Sequence, residues 1–247
     1  MDGKTVIETA ALKKISYYLF PALTIFFILL LLVNKQLYLS VLKEDNVVEW
    51  LTFTCLLCSG IISLCIAVKI KTQHDYLHWF FILFFAFNVF AGLEEISYGQ
   101  RVFDIETTGI FAKHSDQNEI NLHNTLQGMF KMKTKHLALL TLFVYGVNLP
   151  WLIRKGKLSI RCIMERKFIV PPSFLIIGFG LGTLMMLDFI TGSEEEVGEF
   201  LYSVCFLVFM LYNYSLSKST LYFKRQPTSV IETEHPLLKH SKKELFS

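Results

Sequence analysis

The sequence predicts an all-α polytopic membrane bundle of about six transmembrane helices, with both termini in the cytoplasm. Three observations carry this. Of its 247 residues, 53% are hydrophobic and only 18% charged, 23 are Phe, and mean hydropathy is +0.45. Ordinary soluble domains carry about 25% charged residues. Six stretches, 15–37, 47–69, 77–99, 135–153, 168–190 and 197–216, approach the roughly 20 apolar residues that a spanning helix needs, because lipid offers no partner for an open backbone amide. Basic residues are biased to one side. The N-terminus, the 70–76 turn with its flank, the 154–167 loop and the tail hold 17 of the 24 Lys and Arg, which places that side in the cytoplasm. The composition excludes a disordered chain, a collagen, a coiled coil and a disulfide-stapled secreted fold.

The first span runs through Phe26-Phe27-Ile28-Leu29-Leu30-Leu31-Leu32-Val33 after basic Lys13 and Lys14. No small-x-small cleavage site follows, so it reads as an uncleaved anchor. Trp50, Trp79 and Trp151 fall near span ends, as an interfacial aromatic belt requires. The fifth span starts after Pro171-Pro172 and carries Gly178 and Gly182, a G-x-x-x-G pair suited to close helix contact. In the long 100–134 connection, Asp116-Gln-Asn-Glu119 reads as a capping box. Leu122, Leu126, Met129 and Phe130 follow at helical spacing, so a short amphipathic helix is expected at the outer interface. The organisation is thus a transmembrane domain over 1–216 and a basic, disordered tail over 217–247. Cys55, Cys58, Cys65, Cys162 and Cys205 imply no disulfide framework, since no pair lies on the oxidising side.

Acids partition oppositely to bases. Of 21 Asp and Glu, 14 lie in outer connections or outer span ends. The helix dipole accounts for Glu44, Asp45, Glu194 and Glu195, because an acid at a helix N-terminus is favoured by about 0.3–1 kcal/mol. Glu49 and Glu199 are expected one turn deeper, Glu94 and Glu95 end the third span, and Asp188 lies in the last outer turn of the fifth. Glu94, Tyr98 and Arg101 fall at i, i+4 and i+7, one stripe of a continued helix. A lone acid at the bilayer centre costs roughly 2.5–3.5 kcal/mol, so these side chains are expected to face one another.

With His123, flanked by Asn121 and Asn124, the acids form a donor set for a divalent metal. Zn²⁺ is expected if His and few acids bind, and Mg²⁺, Mn²⁺ or Ca²⁺ if oxygens dominate. The expected metal ligands are Glu49, Glu95, His123, Asp188 and Glu199. The expected catalytic residues are Glu94, Glu95 and His123, with Arg101 and Tyr98 meeting a phosphate or carbonyl oxygen.

Glu94-Glu95-Ile-Ser-Tyr-Gly-Gln-Arg101 followed by Asn121-Leu-His123-Asn124 resembles a pattern in bacterial polytopic membrane proteins of unassigned function, which implies the bacterial inner membrane. The Glu94-Glu95 pair is also similar to the first motif of the CAAX-type intramembrane proteases, although Arg101 lies six residues after Glu95 rather than four and Glu119 stands where a Phe precedes the His. Glu44, Asn46 and Glu49 resemble the calcium-binding acids of alkaline ceramidase-like hydrolases, whose late His pair is missing from spans five and six.

The expectation is therefore a membrane enzyme with an outward-facing acidic, metal-assisted site that hydrolyses or transfers a group on a lipid or lipid-linked substrate. Its partners are membrane lipids and not nucleic acid, and its oligomeric state is left open. Two alternatives are a cation or proton carrier, and a non-catalytic membrane partner such as an immunity or assembly protein.

Overall fold

A computed structural model describes residues 3–43, 46–100, 103, 106–107, 109, 134–159 and 168–218. All of its regular structure among these residues is helical. Among the described residues, four helical stretches are long and apolar enough to cross a membrane: Thr5–Val33, Val47–His74, His136–Arg154 and Glu194–Ser217.

Helix α1 (Gly3–Val33) starts earlier and stops sooner than the hydropathy of span one suggests. It ends because Asn34 leaves helical geometry and its side chain accepts from the Leu37 amide, capping the short α2 (Lys35–Val41). Asn46 caps α3 (Val47–His74) in turn, accepting from Val47 N while its Nδ2 donates to Ser40 O at 2.6 Å. Asp75, at φ 52°, closes α3, and Lys71 reaches it at 2.7 Å. Helix α4 (Trp79–Glu95) follows. At about 1.5 Å per residue its 17 residues span ~25 Å, slightly less than a hydrocarbon core of about 30 Å.

The fourth predicted span is three pieces: α5 (Thr134–Phe143), a π-turn (Val144–Asn148) and α6 (Leu149–Arg154). Gly146 in the π-turn lies against the Phe179 ring, where a Cβ would collide. The fifth is shorter than expected, with a 3₁₀ turn (Ser173–Leu175) leading into α7 (Ile176–Met185). The last described helix is α8 (Glu194–Ser217).

Helix α8 is the centre of the molecule. Of the residues in its most apolar window, 78% are buried, against 11% for the 136–154 segment. Phe80 and Phe84 of α4 meet Phe206 and Phe209 of α8 edge-on, the Phe84–Phe206 centroids 5.4 Å apart at 90°. Such pairs contribute about 0.5–1.5 kcal/mol beyond area burial. Between α7 and α8 the backbones nearly touch. A Cβ on Gly198 would sit 2.9 Å from Gly182 O and from Met186 N. The Gly182 half of the G-x-x-x-G pair thus meets a glycine on the neighbouring helix, while Gly178 admits Phe20 and Cys205. Without a hydrophobic force between helices in lipid, such close packing is what associates them.

Contacts fix which helix ends coincide. Glu8 near the start of α1 pairs with Lys218 just beyond α8 at 2.8 Å, and Lys69 near the end of α3 lies over the Tyr214 ring of α8. At the other end, Phe27 of α1 meets Phe200 of α8. Helices α3 and α8 therefore run parallel, with α1 antiparallel to them. Trp50, Trp79 and Trp151 are each about 40% exposed (39, 40 and 44%), consistent with their expected place at span ends.

Candidate functional site

The end of the bundle opposite Glu8 and Lys218 gathers the acids. Glu49 is the third residue of α3, inside its first turn. This corrects the expectation of a deeper position, and the helix dipole favours a carboxylate there. Glu194, Glu195 and Glu196 occupy the first turn of α8, and Glu199 lies one turn further, partly buried.

Glu94 and Glu95 differ. They are the last two residues of α4, at the helix terminus where the dipole disfavours negative charge. Glu95 is partly buried, and the carboxylates of Glu196 on α8, Glu49 on α3 and its neighbour Glu94 all act on it electrostatically. Three helices thus bring their carboxylates to one place. Of the predicted set the structure joins Glu49, Glu94 and Glu95, and it adds Glu196, which the dipole argument alone leaves unremarked. Its spacing of three residues from Glu199 was the available signal, since i and i+3 share a helix face.

The chain beyond Glu95 does not continue as a helix. Ser97, Tyr98 and Gly99 all have positive φ, 44°, 54° and 74°. The expected helical stripe of Glu94, Tyr98 and Arg101 is therefore corrected: α4 stops at Glu95, and Tyr98 reaches Glu94 by a hydrogen bond from a left-handed turn. Backbone bonds hold that turn, Gly99 N to Ile96 O at 2.7 Å and Gln100 N to Ser97 O at 3.0 Å. Gln100 Nε2 donates to Thr107 Oγ1 at 2.6 Å. Left-handed geometry in a non-glycine residue costs roughly 1–2 kcal/mol, and such strain concentrates at functional positions.

Asp188 takes a different part from the one expected of it. Helix α7 ends at Met185, and Asp188 sits beyond it at φ 60°. Its Oδ1 accepts from the amides of Glu194 at 2.9 Å and Glu195 at 3.3 Å, so it caps α8 from six residues away. Glu194, buried, returns the contact, accepting from Thr191 N (2.8 Å), Thr191 Oγ1 (2.6 Å) and Gly192 N (3.2 Å). Tyr38 of α2 is buried at 2% exposure against this loop. Burial, with Glu194 and Asp188 near, pushes its phenol up to about 12.

Arg101, His123 and the expected amphipathic helix around it lie outside the described residues, as do Glu44, Asp45, Cys162 and the tail beyond 218. Among the described residues no three His, Cys, Asp or Glu side chains are arranged to hold a metal ion. The expected ligands Glu49, Glu95, Asp188 and Glu199 do not make such a group by themselves. Cys55 and Cys58 do not either, and Cys55, Cys58, Cys65 and Cys205 are free thiols.

A second feature was invisible to spacing. Thr52, Ser59 and Ser63 lie on the buried face of α3. Ser63 Oγ donates to Phe81 O at 2.8 Å. Ser59 Oγ and Asn88 Oδ1, both in residues with no solvent exposure, have no hydrogen-bond partner among the described residues. Asn88 packs against Gly60, where a Cβ would stand 3.4 Å from its own. Below Ser63 the same face is apolar: Ile66, Ala67 and Ile70.

No protein-family model, curated protein or solved structure matches the chain.

Proposed function

We propose that the chain is an integral membrane enzyme whose acidic end performs hydrolysis or group transfer on a lipid or lipid-linked substrate. The observation that carries this reading is Glu95: a carboxylate kept at the wrong end of its helix, next to a strained turn, and among carboxylates from two other helices. Carboxylates that act on one another repel, the more so at low effective dielectric. A shared proton or a bound cation relieves that repulsion, and a site holding either is suited to general acid–base work. Glu95 would take the proton of an attacking water or hydroxyl as the scissile bond to the leaving oxygen breaks, and a protonated neighbour would return a proton to that oxygen.

In the metal-assisted form, His123 would join Glu49 and Glu95 as a ligand, and a bound ion would supply Lewis acidity. The chain would cross the bacterial inner membrane six times with both termini in the cytoplasm, so that the acids face outward and lipid substrates arrive laterally. The 17-residue α4 and the Ser173–Met185 stretch would be its shorter crossings.

A carrier for protons or cations is the second reading. It is favoured by the small polar residues that descend the buried face of α3 from Glu49 as far as Ser63. The apolar layer of Ile66, Ala67 and Ile70 below them weighs against a conduit.

The test is Glu95→Gln and His123→Ala in the purified full chain, reconstituted in vesicles of bacterial phospholipid. Lipid turnover would be followed by mass spectrometry, bound metal by elemental analysis, and folding by circular dichroism. Glu95→Gln is expected to lower turnover at least about 100-fold. Undiminished turnover in both folded variants overturns the assignment of the site to Glu95 and His123, and no turnover by wild type sinks the enzyme reading. Ion flux in place of turnover would establish the carrier.

A further inference from the structure

The end of the bundle remote from the acids carries a second constellation. Lys69, near the end of α3, and Lys218, just beyond α8, both place their ammonium groups over the ring of Tyr214, at 5.7 and 5.4 Å from its centroid. Glu8 of α1 satisfies Lys218 with both carboxylate oxygens, at 2.8 and 3.0 Å. Close by in sequence, Lys71 is neutralised by Asp75 at 2.7 Å. Lys71 and Lys218 thus each have a carboxylate. Lys69 has no carboxylate within ion-pair distance among the described residues, and it shares its aromatic platform with a second ammonium.

Position supplies the rest. Lys69 is near the end of an apolar helix long enough to cross a bilayer, and Tyr214 is in the last turn of another. Tyr214 is 38% exposed and Lys69 partly so. Aromatic and basic side chains at a span end sit at headgroup depth, the Lys stem in apolar surroundings and its ammonium directed to water. A phosphodiester there would meet Lys69 directly and the Tyr214 hydroxyl beside it. It would also reduce the repulsion between the two ammonium groups, an attraction a zwitterionic headgroup supplies less well.

We propose that Lys69, Tyr214 and Lys218 form a binding site for the phosphate of an anionic membrane phospholipid, which bridges the end of α3 to the end of α8. The ligand locks the two parallel helices together at the face opposite the acidic cluster, and this assignment is independent of any chemistry there.

The experiment is native mass spectrometry of the full chain released from nanodiscs that contain phosphatidylglycerol and phosphatidylcholine in equal parts. Wild type is expected to retain phosphatidylglycerol in preference to phosphatidylcholine, and no preference overturns the proposal without any variant. Lys69→Gln should lower retention about fivefold, the equivalent of the ~1 kcal/mol that one lysine contributes near an anionic surface. Lys71→Gln removes the same charge nearby but from a paired lysine, so it should change retention less than twofold by the same scale. Equal losses in the two variants would mean diffuse attraction and overturn the site. Lys69→Arg keeps the charge and should keep the lipid, and circular dichroism establishes that each variant is folded. Inorganic phosphate alone, added in detergent, should neither stabilise the protein nor displace the lipid. If it does both, the ligand is free phosphate and the lipid assignment fails.

Discussion

Asp188 and Glu194 serve one another's loop: Asp188 Oδ1 accepts the Glu194 amide at 2.9 Å, while the Glu194 carboxylate binds Thr191 and Gly192 between them. Two acids that look like a continuation of the acidic cluster are thereby committed to starting α8. This distinguishes them from Glu95, on which Glu49 and Glu196 act electrostatically from two other helices. Asp188→Ala is expected to destabilise the protein by about 2 kcal/mol, combining a lost cap with an alanine in left-handed geometry. Asp188→Asn keeps an acceptor and tolerates φ 60°, and should stay within about 1 kcal/mol of wild type. Chemical denaturation in micelles measures both, and equal losses in the two would contradict the capping role.

The glycines of α7 and α8 make a sharper contrast. Gly198→Ala places a methyl 2.6 Å from Met186 Cγ and 2.9 Å from two backbone atoms, so the helices must separate, at a cost of about 1–3 kcal/mol. Gly180→Ala meets nothing within 4 Å and should be neutral or stabilise by up to about 1 kcal/mol. Melting temperatures should move in opposite directions or differ widely. Similar shifts would mean that α7 and α8 do not touch along this face.

Ser59 and Asn88 test how dry the bundle is. Their unpartnered oxygens are fully buried, and such groups are a burden of about 1–3 kcal/mol each. Ser59→Ala, which deletes only the hydroxyl, should therefore leave stability unchanged or raise it by about 1 kcal/mol. A clear loss would indicate that an ordered water or a ligand group satisfies these atoms, and would strengthen the carrier reading.

Tyr38 offers a pH readout outside the spanning helices. Its phenol is pushed up to about 12 by burial first, and then by the carboxylate of Glu194. The fold holds the neutral form. The stability it supplies is complete below the ordinary phenol range near pH 10 and is lost as pH rises through about 12. The difference in phenolate absorbance between wild type and Tyr38→Phe should be small at pH ~10.5, where an ordinary tyrosine is already mostly ionised. A full phenolate signal at that pH would show that α2 does not pack on the 188–194 loop.

Much was legible in the residues alone. Long apolar runs must be helical in lipid, so the helical class and the approximate places of α1, α3, α4 and α8 follow from hydropathy. The charge bias made one end acidic and the other basic, and that polarity is present in the fold: Glu49, Glu95 and Glu196 meet at one end, Glu8, Lys69 and Lys218 at the other. A small-residue pair on the fifth span also foretold a close helix contact at Gly182.

Only the tertiary structure decided which acid meets which. Hydropathy cannot do this, because lipid is as apolar as a protein core and a lipid-facing stripe reads like a buried one. Helix α8 illustrates the point: it is the least apolar of the four long stretches and the most buried. The stop of α4 at Glu95 depends on three successive left-handed residues, Ser97 to Gly99, and the start of α8 on a cap from Asp188. Backbone geometry of that kind is held by short-range bonds, such as Gly99 N to Ile96 O and Glu194 N to Asp188 Oδ1, and turns of this sort leave no periodic signature in the chain.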